Sequence, residues 1–302
     1  MLNWDYLRGM LWFVASLFLC QCNDAATKYV GFFCSPMQTT FLRFFFATLL
    51  LVPILATGGR RAFFSKNFPI HICRGGLLCA AVATWCHGLN HSPLPQVVVV
   101  GFAMPFFVLI LSRIFLKERA SLLRWLATIL GFVGVAVVAD PWCGEFNWPV
   151  LALLAADLCF AALDILNKKL AAEEPMGTLL FHTALATTLL AAGPAIAGWQ
   201  SFPSQLWAHA IWLGLGANLL LFCLIRALRL VEASATAPYR YLEFVFSIGL
   251  GYLFFGDVAG KSTLLGAAII IPTTLFLSCH EGRRLAASKR SQLSPKPAEP
   301  CP

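Results

Sequence analysis

Four ionisable side chains interrupt long apolar stretches of this sequence, and side chains of this kind can bind a charged ligand. Arg240 and Glu243 lie three residues apart, and Asp164 and Arg43 lie in two other apolar stretches. A charged side chain at the centre of a bilayer costs roughly 2.5 to 3.5 kcal/mol on insertion scales, so such residues usually have partners or a function. Because both signs of charge occur, the sequence predicts a polar path through a membrane for a ligand that carries both charges.

The overall composition places the chain in a membrane. Hydrophobic residues make up 59% of the sequence and charged residues 12%, whereas soluble domains usually carry about 25% charged residues. The net charge of +8 comes from basic residues in short loops between apolar runs. Nucleic-acid binding would need them on one solvated face and is therefore disfavoured. HExxH, GxSxG and Cys-x-x-Cys motifs are absent from the sequence, so we predict no enzyme, metal site or cofactor.

Ten apolar segments are each long enough to cross the hydrocarbon core, which takes about 20 residues of α-helix. We therefore predict an all-α polytopic membrane protein with ten transmembrane helices. The predicted spans are 8–29, 36–57, 72–90, 93–116, 122–139, 148–168, 177–199, 206–228, 233–255 and 263–280. The basic, Pro-rich residues 282–302 are predicted to form a disordered cytoplasmic tail.

The charges of the loops predict the orientation. With the N-terminus inside, nearly all Lys and Arg residues of the loops lie on the cytoplasmic side, whereas Lys28 and Lys261 lie on the outer side. This asymmetry follows the positive-inside rule, so we expect both termini in the cytoplasm. Cys34 and Cys143 then lie near the outer face, where they either pair in an oxidising compartment or serve as small packing residues.

The chain contains a weak internal duplication. Shifts of 140 and then 139 positions match Asp24 with Asp164, Lys28 with Lys168 and Glu118 with Asp257. Each half, 1–140 and 141–281, holds five predicted spans, and because five is odd the second half must insert in the opposite orientation. Inverted five-helix repeats are typical of secondary transporters, whose substrate sites lie near the midplane between the halves.

Predicted span nine contains the segment TAPYRYLE, residues 236–243. Arg240 and Glu243 share a helix face there, with Tyr239 nearby. Pro238 removes a backbone hydrogen bond at the same point, which frees a carbonyl to line a cavity. Either the two charges form an internal ion pair that holds span nine to its neighbours, or they meet a zwitterionic substrate.

Carboxylates and lysines recur at helical spacing in spans one and six. Asp24 and Lys28 are at positions i and i+4, which predicts an ion pair near the outer boundary, either a structural clasp or part of an outer gate. Their counterparts, Asp164 and Lys168, lie at the inner boundary. Asp157 lies two turns before Asp164 on the same face, and the two predict a carboxylate track for a cation. Lys168 alone also fits a topology anchor.

Two further groups of side chains lie towards the outer face, Arg43 about two turns below the surface and Trp85 with His87 at the outer end of span three. Arg43 either extends upward to the outer surface or binds a carboxylate with both guanidinium nitrogens. His87, close to Trp85 at the outer end of span three, either belongs to an interfacial belt or takes part in gating.

Several segments resemble one branch of the drug/metabolite transporter superfamily, the EamA-like transporters. The resemblance is sharpest to the S-adenosylmethionine uptake transporters of obligate intracellular bacteria, of rickettsial and chlamydial type. It rests on NDAATKY (23–29), FLRFFF (41–46), LDILNKKL (163–170), TAPYRYLE (236–243) and KSTLLGAAIIIPTTLF (261–276). It implies import of S-adenosylmethionine across the bacterial inner membrane by alternating access, with S-adenosylhomocysteine as the exchanged product.

The chemistry of that substrate is compatible with the charged residues. S-adenosylmethionine carries a sulfonium, an amino group, a carboxylate and an adenine, which call for carboxylates, an Arg and aromatic rings. Our hypothesis assigns Glu243 or Asp164 to the cationic end, Arg240 or Arg43 to the carboxylate, and Tyr239, Tyr241 or Trp85 to the sulfonium or adenine. An exporter of amino acids or other small metabolites is the alternative within the same fold, and a membrane-embedded enzyme is the alternative of another class. The expected partners are the substrate and the lipid bilayer, and both a monomer and a homodimer fit the sequence.

Overall fold

Helices account for the regular elements in the part of the chain that the structure describes. The computed structural model describes residues 4–57, 65, 68–115, 117, 122–139, 148–170, 176–230, 239–240, 242–273 and 275–276. The helices are α1 Trp4–Gly31, α2 Pro36–Thr57, α3 Phe68–His91, α4 Leu94–Gly101, α5 Met104–Phe115, α6 Leu122–Ala139, α7 Trp148–Leu170, α8 Met176–Ala197, α9 Trp207–Leu230, α10 Leu242–Phe255 and α11 Lys261–Thr273. The predicted all-helical class is confirmed, and the predicted tail lies outside the described residues.

Five apolar stretches among the described residues are long enough to cross a membrane. They are Phe68–His91, Leu94–Phe115, Trp148–Asn167, Gly177–Ala197 and Ser204–Ala227. α1 and α2 have 28 and 22 residues, but a polar stripe makes α1 less apolar than α2. α6, α10 and α11 contribute shorter apolar stretches. Crossing by these five other helices therefore stays a prediction, although predicted spans two and five coincide in their bounds with α2 and α6.

Predicted span four is broken in its middle into α4 and α5. Pro105 has no amide hydrogen, so the carbonyl of Gly101 cannot receive the usual helical hydrogen bond from the residue four positions on. Tighter bonds close the break, from Ala103 N–H to the Val100 carbonyl (2.8 Å) and from Phe106 N–H to the Ala103 carbonyl (2.9 Å). The predicted bounds 93–116 agree closely with this stretch, Leu94–Phe115, whereas the break inside it was not predicted.

The described part of predicted span nine begins at Tyr239. Its helix, α10, starts at Leu242, and the described residues before it, Tyr239 and Arg240, form a 3-10 turn. Arg240 thus lies in this turn and not in α10, and because residues 233–238 lie outside the described residues, the start of the predicted span 233–255 stays a prediction. Arg240 is also 139 positions after Gly101, so the 3-10 turn before α10 falls at the repeat-equivalent position of the break in span four. Interrupted helices at corresponding positions of two halves are a recurrent feature of substrate sites in secondary transporters.

The helix contacts pair the two halves of the chain symmetrically. α1 packs against α9, α3 against α7, and α2 against α8. The first helix of each half thus meets the third helix of the other half, and the two second helices meet each other. Where α2 meets α8, the hydroxyls of Thr48 and Thr188, 140 positions apart, lie 3.4 Å from each other. This pattern is the one expected of two halves related by a two-fold axis.

Two glycines allow the halves to approach closely. A Cβ added to Gly214 of α9 would lie 2.5 Å from the backbone nitrogen of Ala47 in α2. A Cβ added to Gly75 of α3 would lie 2.9 Å from the backbone nitrogen of Thr187 in α8. The two glycines are 139 positions apart, and their partners are 140 apart. Small residues at such crossings are typical of helix packing in membranes. Here the two crossings also lie at equivalent positions of the repeat.

Candidate functional site

The break in span four lies beside a buried carboxylate and an indole ring. Asp24, on α1, is 7% exposed, and the Trp85 indole N–H of α3 donates a hydrogen bond to its Oδ1 over 3.4 Å. The same ring closes over the helix break, because a Cβ added to Gly101 would lie 3.0 Å from Trp85 Cη2. Trp85 therefore joins the carboxylate of α1 to the end of α4.

Arg43 presents an unsatisfied donor to this region. It lies on α2, is half-buried, and is close enough to Asp24 for their charges to attract each other. Its Nε is buried and has no hydrogen-bond partner in the described part of the chain. A buried unsatisfied donor on a cation is costly, so the arrangement favours an anionic ligand at this point over an extended side chain that reaches the surface.

Three further charges approach the same region from α7 and from the start of α10. Glu243 is half-buried in the first turn of α10, where its charge interacts with those of Arg240 and Asp24. Arg240 is exposed and also interacts with the exposed Asp164 of α7. Cys20 of α1 is half-buried and lies within electrostatic range of four charges, those of Asp24, Arg43, Arg240 and Glu243. We call Asp24, Arg43, Trp85, Asp164, Arg240 and Glu243 the central cluster.

The central cluster combines both signs of charge from both halves of the chain. Asp24, Arg43 and Trp85 come from the first half, and the other members from the second half. Within the described residues, Arg240 and Glu243 do not form an ion pair within 4.0 Å. Of the two alternatives for these residues, a direct ion pair between them is therefore not formed, and their charges are not neutralised by contact with each other. The arrangement suits a zwitterionic ligand with an aromatic or cationic group near Trp85.

The predicted Asp24–Lys28 ion pair is wrong. The Lys28 ammonium instead lies 2.5 Å from Oδ2 of Asp257, which lies between α10 and α11. An ion pair at positions i and i+4 contributes about 0.2 to 0.5 kcal/mol on an exposed helix. Lys28 is buried, where a short charge-assisted hydrogen bond is much stronger. The structure therefore separates the roles of Asp24 and Lys28.

Asp257 is a residue that the sequence analysis did not select. Its position depends on Gly256, which has a φ of +67 and ends α10 with an N–H to the carbonyl of Tyr252 (3.1 Å), a common glycine C-cap. The repeat-equivalent position is Lys117, whose φ is also positive, at 55. The match of Glu118 with Asp257 in the duplication was therefore the available signal for this carboxylate.

Other predicted site residues lie apart from the central cluster. Asp157 is 2% exposed on α7, and its Oδ2 has no hydrogen-bond partner among the described residues. His87 is exposed, and the centroid of its ring lies 4.5 Å from that of His91, with the two rings tilted by 38°. His87 also lines an apolar cavity of about 430 Å³ between the ends of α2, α3, α7 and α8, together with Ser35 and Pro194. Neither residue touches the charges around Trp85 in the described contacts.

Several predictions fall on residues that the structure does not describe. Pro238 and Tyr241, and the side chain of Lys168, lie outside the described residues, so their predicted roles stay predictions. Tyr239 is described and is exposed beside Arg240. Cys143 is also outside the description, whereas Cys34 is a buried free thiol in the α1–α2 turn. Burial raises the pKa of the Cys34 thiol to about 11, which keeps it protonated and poorly reactive.

Comparison with known proteins gives one family. Residues 7–139 and 147–279 each match the model of the EamA-like transporter family. The chain is 38% identical to the S-adenosylmethionine uptake transporter of Rickettsia prowazekii (strain Madrid E), covering 95% of this chain and 98% of that protein. It is 26% identical to the riboflavin transporter of Vibrio cholerae serotype O1, covering 92% and 95%. A solved crystal structure shares the fold with a TM-score of 0.61 at 16% identity, covering 93% of this chain and 98% of that one.

Proposed function

Because the chain belongs to the EamA-like transporter family, we propose that it imports S-adenosylmethionine across a bacterial inner membrane by alternating access. The chain is a multi-pass membrane transporter and not an enzyme. The observation that carries the choice of substrate is the 38% identity, over 95% of the chain, to a protein named for that uptake. The riboflavin transporters, at 26 to 28% identity, support riboflavin as the substrate less well.

The central cluster supplies groups for each part of this substrate. We assign the substrate carboxylate to Arg43, because its buried Nε lacks a partner in the described chain. We assign the sulfonium and the amino group to Glu243, which is half-buried and therefore within reach of a ligand. The adenine stacks on Trp85, whose ring borders the helix break at Gly101. Cations and adenine rings both bind favourably to the faces of Trp side chains.

Asp24 has a supporting role in this proposal. At 7% exposure it is less accessible than Glu243, and it faces Trp85 and Arg43. Its negative charge keeps Arg43 turned inward when the site is empty, and its hydrogen bond orients the indole. Asp164 and Arg240, which are exposed, form the entrance to the site from the side where α10 begins.

The two ends of the helix bundle differ in the exposure of their described polar side chains. Where α1 ends, the side chains of Lys28, Val30 and Gln38 are buried, and Gln38 exchanges two hydrogen bonds with the backbone of Gln200 (3.0 and 3.1 Å). At the end where α10 begins, Arg240 and Asp164 are exposed. Since the loop charges predict that α10 begins at the cytoplasmic side, we propose that Arg240 and Asp164 lie on the cytoplasmic route to the site and that Lys28 and Gln38 belong to its outer closure.

Uptake of labelled substrate tests this proposal. A bacterium without an uptake system of its own would express the chain and receive labelled S-adenosylmethionine from outside. We expect uptake that depends on expression and that excess S-adenosylhomocysteine inhibits, whereas excess riboflavin leaves it unchanged. In vesicles, internal S-adenosylhomocysteine should accelerate uptake if transport is an exchange. Expressed, membrane-inserted protein that moves riboflavin but no S-adenosylmethionine would contradict the assignment.

A further inference from the structure

A buried ion pair ties three separate segments together at the end of the bundle where α1 ends. The Lys28 ammonium lies 2.5 Å from Asp257 Oδ2 and donates a hydrogen bond to the Ser92 carbonyl over 3.0 Å. The same Oδ2 accepts the backbone N–H of Leu94 over 2.8 Å. Lys28 also lies over the Phe255 ring, 4.9 Å from its centroid. We call Lys28, Asp257, the Ser92 carbonyl and the Leu94 amide the Lys28 clasp.

Helix dipoles stabilise both charges of the clasp. Lys28 is in the last turn of α1, where the partial charge of the helix end is negative. Asp257 accepts the first amide of α4, where the partial charge of the helix end is positive. The side chains are 7% and 15% exposed. Each charge is therefore satisfied only while α1, α4 and the α10–α11 connection stay together, so breaking one contact leaves the other charge buried without its partner.

The clasp and the central cluster are joined by two short rigid pieces of helix. Asp24 lies one turn before Lys28 on α1. α4 begins at Leu94, in the clasp, and ends at Gly101, against Trp85. It has eight residues, about 12 Å of helix, and its Val97–Val100 stretch is buried. A short apolar helix that is packed on all sides moves as one body, so displacement at Gly101 reaches Leu94.

We propose that the Lys28 clasp is the latch that closes this end of the transporter, and that α4 couples the latch to the substrate site. The inference rests on the proposed transport function and adds Asp257 and the Leu94 amide to its machinery. When the ligand displaces Trp85, the backbone at the Gly101 break moves and α4 shifts with it. The hydrogen bond from the Leu94 N–H to Asp257 then breaks. The clasp then opens as a unit, because none of its charges is satisfied separately.

Hydrogen–deuterium exchange of the purified protein without ligand tests the latch directly. The variants are Lys28→Met and Asp257→Asn, with Lys28→Arg as the conservative variant. Lys261→Met is the matched control, because Lys261 is exposed only four residues after Asp257. We expect backbone exchange in 28–34, 92–101 and 251–260 to accelerate together in the first two variants by at least tenfold, which corresponds to about 1.4 kcal/mol. Lys28→Arg and Lys261→Met should remain close to the native rates.

The distribution of the effect decides between a latch and a static contact. Exchange in α8 serves as the folding reference and should not change in any variant. Acceleration restricted to the Leu94 amide or to the α10–α11 connection would overturn the latch. If Lys28→Met does not fold, Asp257→Asn alone decides, since Asn keeps the shape of Asp and loses its charge.

Added S-adenosylmethionine tests the coupling separately. We expect it to change exchange around Trp85 and, by the same factor, in all three clasp segments. A response around Trp85 without one in the clasp would overturn the coupling through α4. If no segment responds to the ligand, the substrate assignment fails, and the comparison of the variants still decides whether the clasp is a latch.

Discussion

Replacing Glu243 with Gln removes one negative charge from the central cluster and leaves the shape of the side chain almost unchanged. Two unit charges 4 Å apart interact by about 4 kcal/mol at an effective dielectric constant of 20, equivalent to roughly a thousandfold in affinity. Glu243 is half-buried, so water screens part of this interaction. We therefore expect the apparent affinity for S-adenosylmethionine to fall roughly 30- to 100-fold.

The product analogue provides an internal control for this substitution. S-adenosylhomocysteine has the same adenosine, amino group and carboxylate as the substrate. It lacks the methyl group on sulfur and therefore the positive charge of the sulfonium. Glu243→Gln should therefore weaken S-adenosylmethionine more than S-adenosylhomocysteine and lower the ratio of their affinities. Gly249→Ala is the matched control variant, because it lies on the same helix and an added Cβ meets no atom within 4 Å.

Competition against labelled substrate in proteoliposomes measures both affinities in one preparation. Inserted protein is quantified in each sample, so that loss of expression is not mistaken for loss of binding. Uptake at the native rate by Glu243→Gln, or an equal loss for both ligands, would show that this carboxylate does not face the sulfonium.

Three further substitutions separate binding from packing. Arg43→Met should weaken the binding of S-adenosylmethionine and of S-adenosylhomocysteine equally, by roughly tenfold or more. The affinity for a decarboxylated analogue should not change in the same competition assay. Weaker binding of only one of the two carboxylate ligands would contradict the role of Arg43. Gly214→Ala should cost about 1 to 3 kcal/mol, because the new Cβ would lie 2.5 Å from Ala47 N; an unchanged melting temperature in detergent would refute the close crossing. Lys117→Gly should raise that temperature, since a side chain at φ 55 costs about 1 kcal/mol; a decrease would contradict this.

Local properties of the sequence determined the helices and the kind of protein. Hydropathy and length act within one segment, because a bilayer requires each span to satisfy its own backbone hydrogen bonds. The bounds of α2 and α6 were accordingly predicted to the residue, and α1, α3, α7, α8 and α9 to within a few residues. The duplication, read from matched positions such as Asp24 with Asp164, has a counterpart in the structure where Thr48 meets Thr188, 140 positions on. The resemblance of five short segments indicated the family.

Contacts between distant segments were decided only by the tertiary structure. Lys28 has Asp24 one turn away, yet it binds Asp257, 229 positions later, because burial favours the partner that also accepts the Leu94 amide. The sequence marked Asp24, Arg43, Trp85 and Glu243 as candidates one by one. Their meeting depends on the break at Gly101 and on close crossings of helices, and both follow from packing of the whole chain. Charge and hydropathy are fixed by each residue, whereas the contact partner of a side chain is fixed by the packing of the whole chain.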